Sequence, residues 1–236
     1  MNAETKARLM RVSTATLATL LYRRGLRNQF IQGVTRLSKH DENMVGPAFT
    51  LRYMPAREDR NGLEVFRDRE HPQRKAIEMC PPGAVMVIDS RKDARAASAG
   101  GILISRLFQR GVVGVVTDGG FRDSAEIANI GIGAYQQRPS APTNLTLHEA
   151  IDINVPVGCG DAPVFPGDIL VGDADGVIVI PAHIADEVAE EAIEMTIFED
   201  FVMERVAKGQ SILGLYPPTD EQTLKDFEAW RQANQL

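Results

Sequence analysis

The chain has 236 residues, enough for one large domain or two small ones. That length buries roughly 70% of the unfolded surface, so folding needs no disulfide or structural metal. Apolar side chains make up 44% and charged ones 25%, and the net charge of −6 argues against a nucleic-acid partner, which would need a basic face. Cys80 and Cys159 are too few for a disulfide framework or a thiolate zinc site and read as buried or reduced thiols. The opening MNAETKARLMRVS has no signal-peptide core, and no run nears the roughly 18 apolar residues of a membrane span. A cytoplasmic protein without a membrane partner is expected.

Residues 3–22 read as a helix with Leu9, Leu17, Leu20 and Leu21 near one face, although Ser13 offers a cap for a shorter helix from Thr14. Residues 45–54 (VGPAFTLRYM) predict a strand whose Pro47 belongs at an edge or at the strand's start. Residues 57–75 carry six basic and five acidic side chains and read as a solvated loop or surface helix. The pattern then sharpens into strand 84–89, helix 101–110, strand 112–117, a tight DGGFRD turn at 118–123, helix 124–129 and an extended run 131–135. This is the rhythm of a sheet with crossover helices. Residues 155–181 are β-rich and tightly turned. A long helix is expected at about 183–208, and a last short helix is opened by Thr219 with Gln222 in capping-box spacing.

Residues 98–124 concentrate the chemistry. Gly100 and Gly101 open a helix, where free N–H groups and the helix dipole favour a carboxylate or phosphate. Arg122 and Asp123 follow a buried strand, at the end where α/β sheets commonly bind ligands. The guanidinium suits a bidentate grip on an anion, and the carboxylate suits a divalent cation that keeps several waters. The same residues also read as a structural ion pair beside packing glycines. The spacing of Gly111 and Gly114 does not make a dinucleotide fingerprint. His40, His71, His148 and His183 show neither metal-ligand spacing nor a triad. On the long helix Glu199 interrupts the apolar stripe of Ile184, Val188, Ala192, Met195, Val202 and Val206. It reads either as a partnered or metal-linked acid or as the edge of a wet groove.

With these motifs in place the chain resembles the RraA-like family, which holds class II 4-hydroxy-4-methyl-2-oxoglutarate/4-carboxy-4-hydroxy-2-oxoadipate aldolases and the regulator of ribonuclease E activity. The resemblance spans about residues 10–210 and rests on VSTATLATLL (12–21), VGPAFTLRY (45–53), GVVGVVTDGGFRD (111–123) and PGDILVGDADGVIVIP (166–181), in family order. It implies a single compact α/β domain of the swivelling β/β/α type over residues 1–214 with a long C-terminal helix, residues 215–236 forming a helical tail. It also implies a homotrimer or homohexamer with the site between subunits. Mg²⁺ or Mn²⁺ would be held by Asp123, substrate contacted by Arg122, and substrate carboxylate bound at Gly100, Gly101, Ile102 and Leu103. Glu199 of a neighbouring subunit would contribute through water.

The chain departs from the family pattern at two positions. Catalytic members carry an acid 21 positions before the arginine, where this chain has Gly101, and many have an aspartate where it has Thr19. With hydrogen at 101, weak oxaloacetate decarboxylase and pyruvate aldolase activity is expected. The resemblance implies a divalent-metal-dependent lyase that acts on a small 2-oxo acid through an enolate, by aldol cleavage, decarboxylation or dehydration. The alternative is a non-catalytic regulatory binding protein acting through protein–protein contacts. That branch of the family lacks the Arg-Asp pair, which favours the enzyme here.

Overall fold

In the computed structural model, which describes residues 1–39 and 41–235, two helices open the chain: α1 (Ala3–Leu9) and α2 (Thr14–Arg23). The single helix expected over 3–22 is corrected at Ser13. Its extended backbone and its hydroxyl, which accepts from the Thr16 N–H at 3.0 Å, cap and restart the helix. His40 lies outside the described residues.

A short β1 (Thr35–Arg36) precedes β2 (Met44–Pro55), a strand of 12 residues. Pro47 is accommodated because the parallel pairing of β2 with β3 (Val85–Asp89) begins one residue later, at Ala48. Between these strands residues 57–75 form a loop, a tight turn at Leu63–Arg67 and the start of α3 (Pro72–Met79). Then come β4 (Ala97–Ala99), α4 (Gly101–Gln109) and β5 (Gly114–Thr117). The expected DGGFRD turn is corrected, because its middle forms a short strand, β6 (Gly120–Phe121). It is followed by α5 (Ser124–Ile127), β7 (Gly133–Gln136), β8 (Arg138–Pro139) and β9 (His148–Ile153). The β-rich stretch supplies β10 (Val157–Cys159), β11 (Ala162–Val164), β12 (Ile169–Gly172) and β13 (Val177–Ile180).

The chain closes with the long α6 (Ala185–Ala207) and with α7 (Glu221–Ala233). His183 lies in the tight turn before α6 rather than in its first turn. Asp220, not Thr219, caps α7, because its carboxylate accepts from the Gln222 N–H at 3.0 Å.

The principal sheet is a curled half-barrel in the order β1-β7-β5-β3-β2-β12-β13, with β9 added to β2. Its centre is parallel (β2, β3, β5, β7) and its flanks antiparallel. Alternation along β3 divides the core. Met86 and Ile88 face a layer with Ile77 of α3 and Ile104 and Leu107 of α4, whereas Val85 and Val87 face Leu170, Val177 and Val179. A third layer packs Leu17, Leu20 and Leu21 of α2 and Val188 and Ala192 of α6 on β12 and β13. Phe201 of α6, Leu215, Phe227 and Trp230 bind the tail to the long helix. Both cysteines are buried and unpaired, and burial pushes the Cys80 thiol up to about 12.

Close backbone approach decides one glycine. A Cβ on Gly46 of β2 would lie 2.5 Å from the Gly83 carbonyl oxygen, a backbone atom with no easy escape. Gly46→Ala is expected to cost about 1–3 kcal/mol of stability, read as a lower urea midpoint at unchanged slope.

Candidate active site

Three very short strands form a separate parallel sheet, β4-β6-β8, and the site stands at their carboxyl ends. β4 delivers Gly100 and the start of α4, β6 delivers Arg122 and Asp123, and β8 leads towards Thr143 and Asn144. The pairing of Ala99 with Phe121, extended by the Arg122 N–H to Ala99 C=O bond at 3.1 Å, sets the first two groups side by side. Beneath them Asp118 is buried and accepts from the backbone N–H groups of Ser90 (2.7 Å), Lys92 (3.0 Å) and Gly160 (3.2 Å). Burial raises its pKa to about 6 despite these donors. The first aspartate of the motif therefore ties loops together below the site.

Asp123 adopts the left-handed conformation, φ 62° and ψ 35°, at the start of α5. Aspartate tolerates this region better than most side chains, and non-glycine residues held there cluster at functional sites. Its Oδ2 accepts from the Gly101 N–H at 3.0 Å and lies 3.6 Å from Arg122 Nε. Both contacts use Oδ2, which leaves Oδ1 without a protein partner among the described residues. Gly100 is required by this crowding, since a Cβ there would come within 2.9 Å of Arg122 and of Asp123 Oδ2.

The cleft at this point has a volume of about 430 Å³. Gly100, Ile102, Leu103, Arg122 and Asp123 line it, so five of the residues singled out in the sequence stand together. Gly101 contacts Asp123 directly. In the first turn of α4 the Leu103 N–H bonds the Gly100 carbonyl at 3.1 Å. Leu63, Phe66, Gln73 and Arg74 form another part of the cleft wall, which corrects the reading of residues 57–75 as a merely solvated segment. Gln73 is buried and donates to Tyr53 Oη (2.9 Å) and the Ser98 carbonyl (2.8 Å), pinning that wall to the core. A charge count cannot reveal this, because the anchoring residue is an uncharged glutamine.

Sequence reasoning also missed Glu126. A Cβ on Gly101 would meet Glu126 Oε2 at 3.0 Å and Asp123 Cβ at 3.3 Å. The place beside Gly101 is thus taken by a carboxylate from one turn after the Arg-Asp pair, and the premise that no acid stands there is corrected. Its position three residues after Asp123, at the start of a helix, was the available signal.

Glu199 does not line this cleft. Its Oε2 accepts from Thr16 Oγ1 at 2.8 Å and its Oε1 from Tyr216 Oη at 2.9 Å, so α2 and the tail answer the acid on the apolar stripe. Thr19 hydrogen-bonds the Ala15 carbonyl and lines a groove with Met195, Phe198 and Tyr216. His71 and His148 are buried, His148 lying between Arg91 (3.2 Å) and the Asp93 carbonyl (3.1 Å). No group of three His, Cys, Asp or Glu side chains is gathered among the described residues. No helix there is long and apolar enough to cross a membrane.

A family model described as RraA-like, Aldolase/RraA, matches residues 14–179. The chain belongs to the RraA-like family. A Halalkalibacterium halodurans protein provisionally named 4-hydroxy-4-methyl-2-oxoglutarate aldolase is 32% identical over 170 residues, which cover 69% of this chain and 74% of that protein. A 4-hydroxy-4-methyl-2-oxoglutarate aldolase of Thermus thermophilus is 30% identical over 119 residues, 50% of this chain and 71% of that enzyme. The crystal structure of Streptomyces coelicolor RraAS2, described as an unusual member of the RNase ES inhibitor RraA family, superposes with a TM-score of 0.73. Identity is 29%, and the match covers 85% of this chain and 96% of that one.

The donor set at the cleft also bears on the implied metal. Among the described residues Asp123 Oδ1 is unpartnered, Glu126 lies beside Asp123, and no histidine or cysteine lines the cleft. That set fits a hard divalent cation such as Mg²⁺ or Mn²⁺, which takes one or two carboxylates and keeps waters or substrate oxygens for the rest. It does not fit a soft or imidazole-seeking metal.

Proposed function

We propose that this RraA-like protein is a divalent-metal-dependent lyase that cleaves or eliminates from a small 2-oxo acid through an enolate. The observation that carries this reading is the left-handed Asp123 with one free carboxylate oxygen, held beside Arg122 at a glycine-lined helix start. The aldolase names of the relatives support it.

In this reading Asp123 would hold Mg²⁺ or Mn²⁺, which would supply Lewis-acid polarisation of the 2-oxo acid, while Glu126 beside it stays free for proton transfer. Arg122 grips the substrate and stabilises negative charge as it develops on the enolate oxygen. The start of α4, Gly100 to Leu103, turns the positive end of a helix dipole towards the substrate carboxylate, with the Gly101 and Leu103 N–H groups engaged by Asp123 and by the Gly100 carbonyl. Glu126 carries the proton that the family pattern assigns to an acid at position 101. Glu199 of a neighbouring copy would join through water once it exchanges the Thr16 and Tyr216 hydroxyls for that role. The proposed setting is the cytoplasm.

The test is pyruvate release from oxaloacetate and from 4-hydroxy-4-methyl-2-oxoglutarate, with and without Mg²⁺ and with excess chelator. Metal-dependent turnover supports the lyase. Absence of both turnover and Mg²⁺ binding overturns it and leaves the second reading, a regulatory binding protein, which the likeness to RraAS2 supports.

A shared site also requires assembly. Sedimentation is expected to show a trimer or hexamer, and a 25.9 kDa species alone at micromolar concentration would remove the role of Glu199 across an interface.

A further inference from the structure

The cleft carries a second cation that the reaction outlined above does not use. Arg74 of α3 lines the cleft and is partly buried. Its guanidinium carbon lies 4.3 Å from the centroid of the Phe66 ring. Among the described residues it forms no ion pair, unlike Arg106 and Arg110 nearby in the fold, which share Glu78. Burial lowers its pKa below the ordinary arginine value, and the charge on Arg122 lowers it further, so the two guanidinium groups repel across shared space.

Stacking on a ring occupies the face of a guanidinium and leaves its N–H edge free, the arrangement in which arginine takes a carboxylate in a fork. Asn144 lines the same cleft and is 5% exposed, and its Nδ2 has no acceptor among the described residues. A buried donor without an acceptor is destabilising, and an anionic ligand group can supply the missing acceptor. Asp123 is the one acid among the lining residues, and its charge is committed to the cation in the proposed reaction.

We propose that Arg74, stacked on Phe66 and aided by Asn144, is the specificity-determining residue that binds the remote carboxylate of a dicarboxylic 2-oxo acid. This rests on the lyase reading. Arg122 and the start of α4 hold the reacting 2-oxo end, and Arg74 holds the far end. The charged segment 57–75 is then a recognition wall. Gln73, hydrogen-bonded to Tyr53 and Ser98, fixes the helix from which Arg74 reaches in.

The test compares two ligands of equal carbon count, 2-oxoglutarate and 2-oxopentanoate, by calorimetric titration of the full chain with Mg²⁺. They differ in the terminal carboxylate alone. The native protein is expected to prefer 2-oxoglutarate by about 10- to 100-fold, the range of a charge-assisted contact. In Arg74→Ala that preference should fall to near one while 2-oxopentanoate affinity holds, which shows the site is still folded. Arg74→Lys should restore part of it, and Asn144→Ala should lower it less. An unchanged preference in Arg74→Ala, or equal native affinities, overturns the role of Arg74 and leaves the lyase reading standing. Binding of neither ligand to the native protein overturns the lyase reading, and this proposal with it.

Discussion

Asp123→Asn is expected to abolish Mg²⁺ affinity and to lower kcat/KM by about 10²- to 10³-fold, with little change in Tm. Asparagine is the informative substitution because of the backbone. Position 123 sits at φ 62°, a conformation that asparagine and aspartate tolerate and alanine does not, so Asp123→Ala would add about 1–2 kcal/mol of strain to the loss of charge. The amide oxygen introduced by Asp123→Asn can still accept from the Gly101 N–H, which keeps α4 and α5 in contact. Isothermal titration with Mg²⁺ and a melting curve on the same sample separate the two readings of the Arg-Asp pair. Retained metal affinity with a Tm several degrees lower would make the pair structural. Arg122→Ala should leave metal affinity in place and lose a comparable factor in kcat/KM.

The second large effect belongs to Glu126. Glu126→Gln keeps the shape that fills the space beside Gly101 and removes the ionisable group. A lost proton carrier typically costs about 10²- to 10⁴-fold, and the loss should appear in kcat more than in KM. Gly101→Asp alone should not raise activity. Its backbone is not in the left-handed region, so the turn admits a side chain, but the new carboxylate would crowd both Glu126 and Asp123. In the Glu126→Ala background the same substitution has the space and should recover part of kcat. Native-like kcat in Glu126→Gln would remove this residue from the proton path. Activity lost on Gly101→Asp with no rescue in the double variant would show that the site does not admit an acid from either position.

Much of the fold was legible because its cause is local. Val85 to Ile88 is apolar on both faces, which only a doubly covered central strand can use, and the structure buries it between two layers. The Arg122-Asp123 pair was legible for a similar reason, since an apolar run ending in Gly-Gly places whatever follows at a strand's carboxyl end. The errors have local causes too. Ser13 outweighed a continuous apolar stripe because a capping hydroxyl stops a helix whatever its periodicity, and Asp220 outcompeted Thr219 by one position.

What the sequence by itself determined is the α/β class, the long C-terminal helix and the neighbourhood of residues 100–103 with Arg122 and Asp123. Each depends on spacing within about twenty-five residues of chain. Only the tertiary structure decided that Arg74 and Phe66 share a cleft with those residues, that Asn144 joins it from the turn after β8, and that the Glu126 carboxylate stands where Gly101 has no side chain. It also decided that Glu199 is answered by Thr16 and Tyr216. These relations join segments that no local pattern pairs, as when β4, β6 and β8 come together in a sheet of their own. Register is set by how the whole sheet buries its faces, so no single segment encodes which side chains will meet at its edge.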